Sequence, residues 1–385
     1  MFHSSYIELS KSALENNLRF LRKTIGPQVR YSSVIKGNAY GHSIEHFLPL
    51  AEECGIRHFA VFDAFEALKG TRVRMHEDTD FMIMGMIDND ELSWAIEEEI
   101  SFYVFELDRL AKAAEIARAQ KKKARIHIEL ETGMNRTGFE PAELEEVVRI
   151  IHENSEHLKI EGICTHYAGA ESTSNYFRIT NQREEFRKLS GWLREQGIVP
   201  EYHHTACSAA ALTIPETIMD MTRIGIAQYG FWPSQETYMS RLKLNGGVMD
   251  DPLHRVITWK SHVMSMKYLE PGEYVNYGNI YLTSRHQKAA AVPIGYAHGF
   301  ARQLSNRGMV LIRGQRAPVM GVVNMNMMMV DVTDIDHVEK GDEVTIIGGE
   351  GENSISVASF SDMSDYLNYE ALIRIPSNIP RFVVE

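Results

Sequence analysis

Short apolar segments alternate with amphipathic segments from Lys11 to about Tyr229, and this alternation constrains the fold more than any other feature of the chain. Segments with apolar residues three and four positions apart predict helices, and the short apolar segments between them predict strands. Mostly apolar strands that are separated by helices form parallel sheets covered on both faces. The eight strand candidates are Tyr31–Ile35, His58–Phe62, Phe81–Met84, Phe102–Phe105, Arg125–Leu130, Ile160–Thr165, Tyr202–Ala206 and Asp220–Ile224.

Eight such units predict an α/β fold, a closed (β/α)8 barrel of the TIM type. An open doubly wound sheet is the alternative, but no Gly-x-Gly-x-x-Gly motif follows the first strand to bind a dinucleotide. The helix candidates are Ser12–Ile25, Ser43–Cys54, Asp90–Glu99, Leu107–Lys123, Ala142–Asn154 and Gln182–Gln196.

The pattern changes after Gly230. Helical periodicity becomes scarce, and short strand candidates are separated by turn signals, which is typical of a β-rich domain. We therefore predict a barrel over residues 10–235 and a second domain made of residues 236–385 together with residues 1–9, where Tyr6–Leu9 is a further strand candidate. The other candidates are Val256–Ser265, Tyr274–Tyr281, Ala289–Ile294, Met309–Ile312, Met327–Val332, Glu343–Ile347 and Ser354–Val357.

Composition limits the class of protein. The formal net charge of −12 argues against nucleic acid or an anionic membrane as a partner. The 3 cysteines are widely spaced, which indicates a reducing compartment and no metal-ligand motif. No segment reaches the length of a signal peptide core or a membrane span, so we expect a cytoplasmic protein.

Lys36 is the most informative single residue. It follows the apolar run that ends at Ile35, and Gly37 and Asn38 supply a turn directly after it. A lysine at the end of a buried strand is costly unless its aliphatic stem carries the charged amine out to solvent. A lysine that forms a Schiff base with an aldehyde avoids this cost and becomes a catalyst.

Further polar residues follow the predicted strands at their carboxyl ends, the face that carries the chemistry in barrels of this class. The helix that begins near Ser208 and the Gly225-Ile226 turn offer backbone N–H groups to an anion such as a phosphate. A phosphate site and an aldehyde-accepting lysine together indicate pyridoxal phosphate. The rim residues are Lys36, the segment Glu131–Phe139, His166, Cys207-Ser208, Arg223 and Gly225-Ile226.

These segments resemble the alanine racemase family over nearly the whole chain. The segment Val34–His42 is similar to the family's lysine signature, and Thr132–Gly138 is similar to the segment whose arginine holds the substrate carboxylate. The other matching segments are Thr165-His166-Tyr167, His204–Ala210, Thr222–Ile226, Asn276-Tyr277-Gly278 and Ile294-Gly295-Tyr296.

The resemblance implies a role for each matching residue. Lys36 would carry pyridoxal phosphate and serve as one catalytic base, and Tyr277 of a partner chain would be the other. Such enzymes are head-to-tail homodimers, in which the β-rich domain of one chain completes the active site of the other. The remaining cofactor contacts would come from Tyr40, His166, Ser208, Arg223, Gly225 and Ile226. The small amino-acid substrate would contact Arg136, Met325 and Tyr296.

The implied chemistry explains these residue types. Racemisation removes the α-proton on one face of the substrate and returns a proton on the other, so it needs two opposed bases. Tyrosine has a reference pKa of about 10 and needs nearby cations to act as a base; we expect His166 and Arg136 to supply them. Arg223 at the ring nitrogen keeps its own proton, which leaves that nitrogen largely unprotonated and discourages transamination.

Several positions depart from the family pattern. Asn324-Met325-Asn326 stands where the family usually has Cys-Met-Asp, and His298 stands where it has an aspartate. Ser377 replaces a tyrosine that narrows the entrance in many members. Glu129 replaces a lysine that is thought to be carbamylated in several members, and would supply a negative group beside Arg136. These changes put the substrate side chain in question.

The leading hypothesis is therefore a racemase that interconverts L- and D-alanine, and the first alternative is a related racemase with broader or different specificity. A pyridoxal phosphate decarboxylase on the same barrel is disfavoured by Arg223, because decarboxylases of this fold place an acidic residue there. A cofactor-carrying protein without catalysis is disfavoured by the β-rich domain and by Tyr277.

Overall fold

A computed structural model describes residues 3–244, 246, 251–357 and 368–385. The described residues form two compact units, one of them made of Leu14–Lys36 and Leu48–His254. The other unit contains Met1–Ala13, Gly37–Phe47 and Arg255–Glu385. Within the described part of the chain, no helix is both long and apolar enough to span a membrane.

The strands, numbered along the chain, are β1 Ser5–Ser10, β2 Arg30–Val34, β3 His58–Val61, β4 Asp80–Ile83, β5 Ser101–Val104, β6 Ala124–Glu129, β7 Leu158–Cys164, β8 Tyr202–His204, β9 Met221–Ile224, β10 Ile257–His262, β11 Ser265–Leu269, β12 Gln287–Val292, β13 Met309–Ile312, β14 Gln315–Met320, β15 Met328–Asp331, β16 Glu343–Glu350, β17 Asn353–Ile355 and β18 Arg381–Val384. The helices are Lys11–Ile25, Ile44–Glu53, Ala64–Val73, Asn89–Glu97, Leu107–Gln120, Leu144–Glu153, Tyr176–Glu195, Ser208–Thr213, Gln235–Leu244 and Asn368–Ile373.

The first unit is the predicted parallel barrel. Its eight strands pair in the order β8-β7-β6-β5-β4-β3-β2-β9, so each predicted strand is present to within a few residues. An isolated parallel bridge between Cys207 and Arg223 links the two ends of this order. The strands are buried nearly throughout, as expected for a parallel sheet covered by helices.

The inward-facing side chains of this barrel are unusually polar. Barrels of this class normally fill their interior with branched apolar residues. Here Arg125 donates to both Asp80 and Glu161, and Arg30 also donates to Asp80 at 2.7 Å. The pKa of Asp80 falls to about 2, because the bonds and charges of its partners outweigh the cost of its burial.

The second unit is a β-rich domain, as predicted. Its sheet has the order β11-β12-β15-β14-β13-β16-β10-β1-β18, with β17 added on β16. The amino-terminal strand β1 pairs antiparallel with β10 and parallel with β18, which confirms that Tyr6–Leu9 belongs to this sheet.

Three local predictions differ from the structure. Tyr274–Tyr281 is not a strand, because Asn276 and Gly278 have φ values of 68° and 71°, in the left-handed region that interrupts a β-ladder. Helix Gln235–Leu244 lies after Gly230, where helical periodicity becomes scarce, and none of the helix candidates covers it. Helix Ala64–Val73 has no counterpart among the helix candidates. Its Gly70 is required because a Cβ there would lie 2.4 Å from the Phe81 ring.

Candidate active site

Lys36 stands just beyond the carboxyl end of β2, as predicted. Its side chain keeps access to solvent. The surrounding protein partly desolvates the amine, and together with the positive charges of Arg136 and Arg223 it lowers the Lys36 pKa. A lysine of lowered pKa has a larger neutral, nucleophilic fraction near neutral pH.

A left-handed turn follows Lys36 directly. Gly37, Asn38, Ala39 and Tyr40 have φ values of 62°, 53°, 55° and 50°. Residues other than glycine adopt this conformation only where their surroundings impose it. The Asn38 side chain helps, because its Oδ1 accepts the Ile44 N–H at 3.1 Å. The backbone of this turn therefore fixes the position of Tyr40 relative to Lys36.

Arg223 is buried and donates only to protein acceptors. Its guanidinium reaches His204 Nδ1 at 2.5 Å, the His204 carbonyl at 2.7 Å, the Thr165 carbonyl at 2.8 Å and the Thr205 carbonyl at 3.0 Å. Since arginine cannot accept a hydrogen bond, His204 Nδ1 must be the unprotonated nitrogen. The orientation of Arg223 is therefore set by the ends of two strands, β7 and β8.

A second histidine extends this arrangement into the barrel. His204 Nε2 carries the proton and donates it to His127 Nδ1 at 2.9 Å. Burial lowers the pKa of both rings well below the usual value, so both are neutral. Gly162 makes room for the pair, because a Cβ there would lie 2.1 Å from His127 Nδ1. Sequence analysis missed this role of His127, although the alternating Arg125, His127 and Glu129 of β6 mark an inward-facing polar row.

His166 lies at the end of β7 but is not a cation. Burial, with the adjacent charges of Arg223, Arg136 and Lys36, lowers its pKa to about 3. The expectation that His166 helps a tyrosine base by carrying positive charge is therefore wrong. Of the two cations proposed for that role, only Arg136 is charged.

Carboxylates shape the segment that carries Arg136. Burial would raise the pKa of Glu131, but backbone N–H groups from Asn135, Gly133 and Arg136 outweigh it and lower that pKa. Burial raises the pKa of Glu129, although the Thr137 hydroxyl and Arg136 oppose the shift. Glu129 thus lies near Arg136, as expected from its place in the sequence.

The protein groups that could bind a phosphate lie together after the ends of two strands. Ser208 is buried at the start of its helix, and its hydroxyl accepts the Gly225 N–H at 2.9 Å. Ile226 begins a 3-10 helix, so its N–H has no partner within that helix. Together these groups form a set of donors suited to an anion.

The remaining candidates lie in the β-rich unit and face solvent. Tyr277 is 74 % exposed, Met325 is 55 % exposed and Tyr296 is 44 % exposed. Gly295 allows the chain before Tyr296 to approach Asn324, because a Cβ at Gly295 would lie 2.1 Å from the Asn324 carbonyl oxygen. The structure therefore brings the loops that carry all three residues together within this unit. Among the described residues, no cluster of three or more histidine, cysteine or acidic side chains could hold a metal ion.

Comparison with known proteins gives a consistent result. The alanine racemase N-terminal domain model matches residues 9–233, and the alanine racemase C-terminal domain model matches residues 256–383. An alanine racemase from Leptospira interrogans is 34 % identical over 100 % of this chain and 96 % of its own length. An alanine racemase from Methanococcus maripaludis is 33 % identical over 98 % of each chain.

Solved structures agree with these sequence matches. Alanine racemase from Streptomyces lavendulae superposes with a TM-score of 0.90 at 29 % identity, over 100 % of this chain and 98 % of that one. Alanine racemase from Bacillus anthracis with bound L-Ala-P gives 0.89 at 28 % identity, over 100 % and 96 %. The chain described here belongs to the alanine racemase family.

Proposed function

We propose that this protein interconverts L- and D-alanine with pyridoxal phosphate as its cofactor. The observation that carries the proposal is Lys36, an accessible amine of lowered pKa at a barrel strand end, within the electrostatic reach of Arg136 and Arg223. Membership of the alanine racemase family supports the substrate and the cofactor.

The residues present fit pyridoxal phosphate. Lys36 would hold the aldehyde carbon, and Ser208 and Ile226 would offer a hydroxyl and an N–H group to the phosphate. The Gly225 N–H would hold the Ser208 hydroxyl in place beside it. By the family resemblance, Tyr40 would also contact the phosphate and His166 would lie under the ring. When bound, the cofactor withdraws electrons from the substrate α-carbon and makes the α-proton acidic.

Arg223 would face the ring nitrogen as a fixed cation. Four acceptors hold its guanidinium in place. Burial would lower the pKa of Arg223, but neighbouring groups such as Tyr103 and Cys164 outweigh burial and raise it. Because this group keeps its own proton, it does not protonate the ring nitrogen. It would thereby limit proton return to the wrong carbon and favour racemisation over transamination.

Two bases would move the α-proton. The lowered pKa of Lys36 leaves part of the amine neutral and able to take the proton on one face. Tyr277 would serve the opposite face. Arg136 would bind the substrate carboxylate, with Met325 and Tyr296 beside the substrate.

A second copy of the chain would supply Tyr277. Its side chain projects into solvent, and several large apolar residues of the same segment are also more than half exposed, namely Tyr274, Ile280 and Leu282. Such a surface is costly in a monomer and is typical of an interface. A head-to-tail homodimer would cover it and complete two equivalent sites.

The direct test is to reconstitute the protein with pyridoxal phosphate and measure racemisation across a panel of L-amino acids. We expect D-alanine to form from L-alanine, and the Lys36→Ala variant to form none. Carbon dioxide release would instead support a decarboxylase, and cofactor binding without turnover would support a non-catalytic carrier. Either result would overturn the proposal.

A further inference from the structure

The amide side chain of Asn276 fastens the loop that carries Tyr277 at the residue next to the tyrosine. Asn276 Oδ1 accepts the Tyr277 N–H at 2.9 Å and the Asn324 Nδ2 group at 2.7 Å. The other end of the same amide donates to the Val322 carbonyl at 2.9 Å. Because a backbone N–H can only donate, the Asn276 atom that it meets must be the oxygen, so Asn324 must present its NH2 group.

Asn324 is itself fixed by its own backbone. Its N–H donates to the Met327 carbonyl at 3.0 Å, and its carbonyl accepts the Tyr296 N–H at 3.0 Å. The next carbonyl, that of Met325, accepts the Ala297 N–H at 2.9 Å. One residue therefore joins the Tyr277 loop by its side chain and the Tyr296 turn by its main chain.

The Tyr277 loop needs such a connection. Tyr277 lies between two residues in the left-handed conformation, Asn276 and Gly278, on a segment that faces solvent. Left-handed backbone at a residue other than glycine persists only where its surroundings over-determine it. The amide contacts of Asn276 act directly at this backbone, and they add to the Val275 N–H bond to Tyr281 and the Asn306 bond to Ile280 farther along the loop.

We propose that Asn324 is a positioning residue for Tyr277, which acts through Asn276 to hold the tyrosine where it exchanges a proton with the substrate. This inference rests on the proposed racemase function. In this role, Asn324 donates a second hydrogen bond to the Asn276 oxygen. It thereby joins the loop that bears Tyr277 to the turn that bears Tyr296.

The test compares Asn324→Ala, Asn276→Gly and the double variant with the wild-type holoenzyme. Glycine at position 276 permits the left-handed backbone while it removes the amide. Asn324→Ala should lower kcat/KM about fivefold, the equivalent of about 1 kcal/mol for one hydrogen bond. Asn276→Gly removes three hydrogen bonds and should lower it at least as much. The double variant should be no worse than Asn276→Gly, because the two side chains act through one contact.

Asn353→Ala is the matched control. Asn353 also donates its side-chain amide to a carbonyl of the β-rich unit, that of Gly314 at 2.8 Å, but it lies on β17 and not in the Tyr277 loop. Its activity should stay within about twofold of wild type, as for most changes away from a functional contact. Asn324→Asp keeps the shape of the side chain without a donor, and should be impaired at least as much as Asn324→Ala.

Isotope effects separate positioning from general damage. If the tyrosine step alone is slowed, the α-deuterium isotope effect on kcat/KM should rise in the direction in which Tyr277 removes the proton. It should fall toward unity in the other direction. A general disturbance of the structure would instead change the isotope effects of the two reaction directions in the same sense. Amide exchange at Tyr277 should also accelerate in Asn324→Ala, whether or not cofactor is present.

The outcomes distinguish a failure of the proposed role of Asn324 from a failure of the proposed racemase function. Full activity of Asn324→Ala and Asn324→Asp, with Tyr277→Phe badly impaired, would overturn the role of Asn324 and leave the racemase proposal intact. Full activity of Tyr277→Phe would overturn the tyrosine base and this inference with it. Isotope effects that change in opposite senses, with a non-additive double variant, would support the inference.

Discussion

The candidate residues of the barrel and those of the β-rich unit are held in place by different means. In the barrel, Arg223 is 5 % exposed and is fixed by hydrogen bonds that it donates to groups at two strand ends. In the β-rich unit, Tyr277 is 74 % exposed and is held through the side chain before it. Burial sets the charges of the barrel residues, whereas Tyr277 faces solvent and is held by local contacts of its loop.

The largest effect should come from the barrel half. Lys36→Ala should abolish cofactor attachment and nearly all turnover, because no other candidate residue is an amine. Lys188→Ala is the matched control, since Lys188 is exposed and pairs only with Glu185 on its own helix. Visible absorbance of the protein-bound cofactor and the rate of racemisation check the prediction. A normal spectrum with normal rates in Lys36→Ala would contradict it.

Arg223→Glu should have the next largest effect. A carboxylate at the ring nitrogen would let that nitrogen take a proton, so racemisation should slow and pyridoxamine phosphate should accumulate as a side product. The change also leaves the His204, Thr165 and Thr205 acceptors without their donor, so the melting temperature should fall. Chromatography of the released cofactor measures the side reaction. No increase in pyridoxamine phosphate in folded protein would count against the role of Arg223.

Sequence predicted the barrel half well because its signals are local. Apolar strand patterns and polar residues at strand ends placed Lys36, His166 and Arg223 on one rim, and those positions depend only on topology. The charge of His166 could not be predicted, because it depends on burial beside cations from other strands. The His127–His204 pair is likewise a contact between strands far apart in the sequence.

The β-rich half was predicted less well. Tyr274–Tyr281 has the apolar and aromatic content of a strand, but Asn276 and Gly278 turn it into a loop. The amide contact between Asn276 and Asn324 joins residues 48 positions apart, so no periodicity reveals it. Of the substrate-side candidates, only a resemblance to a family could select Tyr277, Tyr296 and Met325.

Acid should destabilise the barrel through its buried neutral histidines. Burial lowers the pKa of His58 to about 3, far below its ordinary value of about 6.5. Unfolding therefore takes up a proton between these values, and stability is present above pH about 6.5 and is lost as pH falls toward 3. For each proton taken up on unfolding, the free energy of unfolding changes by about 1.4 kcal/mol per pH unit. Urea unfolding across this range measures the slope, which His58→Gln should reduce. An unchanged slope in that variant would contradict the assignment.

The smallest effect concerns the substrate entrance. Ser377 is exposed and replaces the larger side chain that the family pattern places there. If the entrance is widened, amino acids larger than alanine should be racemised with kcat/KM within about tenfold of alanine's, about 1.4 kcal/mol. Ser377→Tyr should then narrow the range of amino acids that the protein racemises. Strict alanine specificity in the wild type would refute the idea.

The central claim is that Lys36 of one chain and Tyr277 of another form one site, and a mixed dimer tests it most directly. Lys36→Ala and Tyr277→Phe homodimers should each be badly impaired. Random exchange makes about half of the dimers mixed, and each mixed dimer has one intact site, so activity should recover to about a quarter of wild type. No recovery, with mixed dimers shown to be present, would place both bases in one chain and contradict the account.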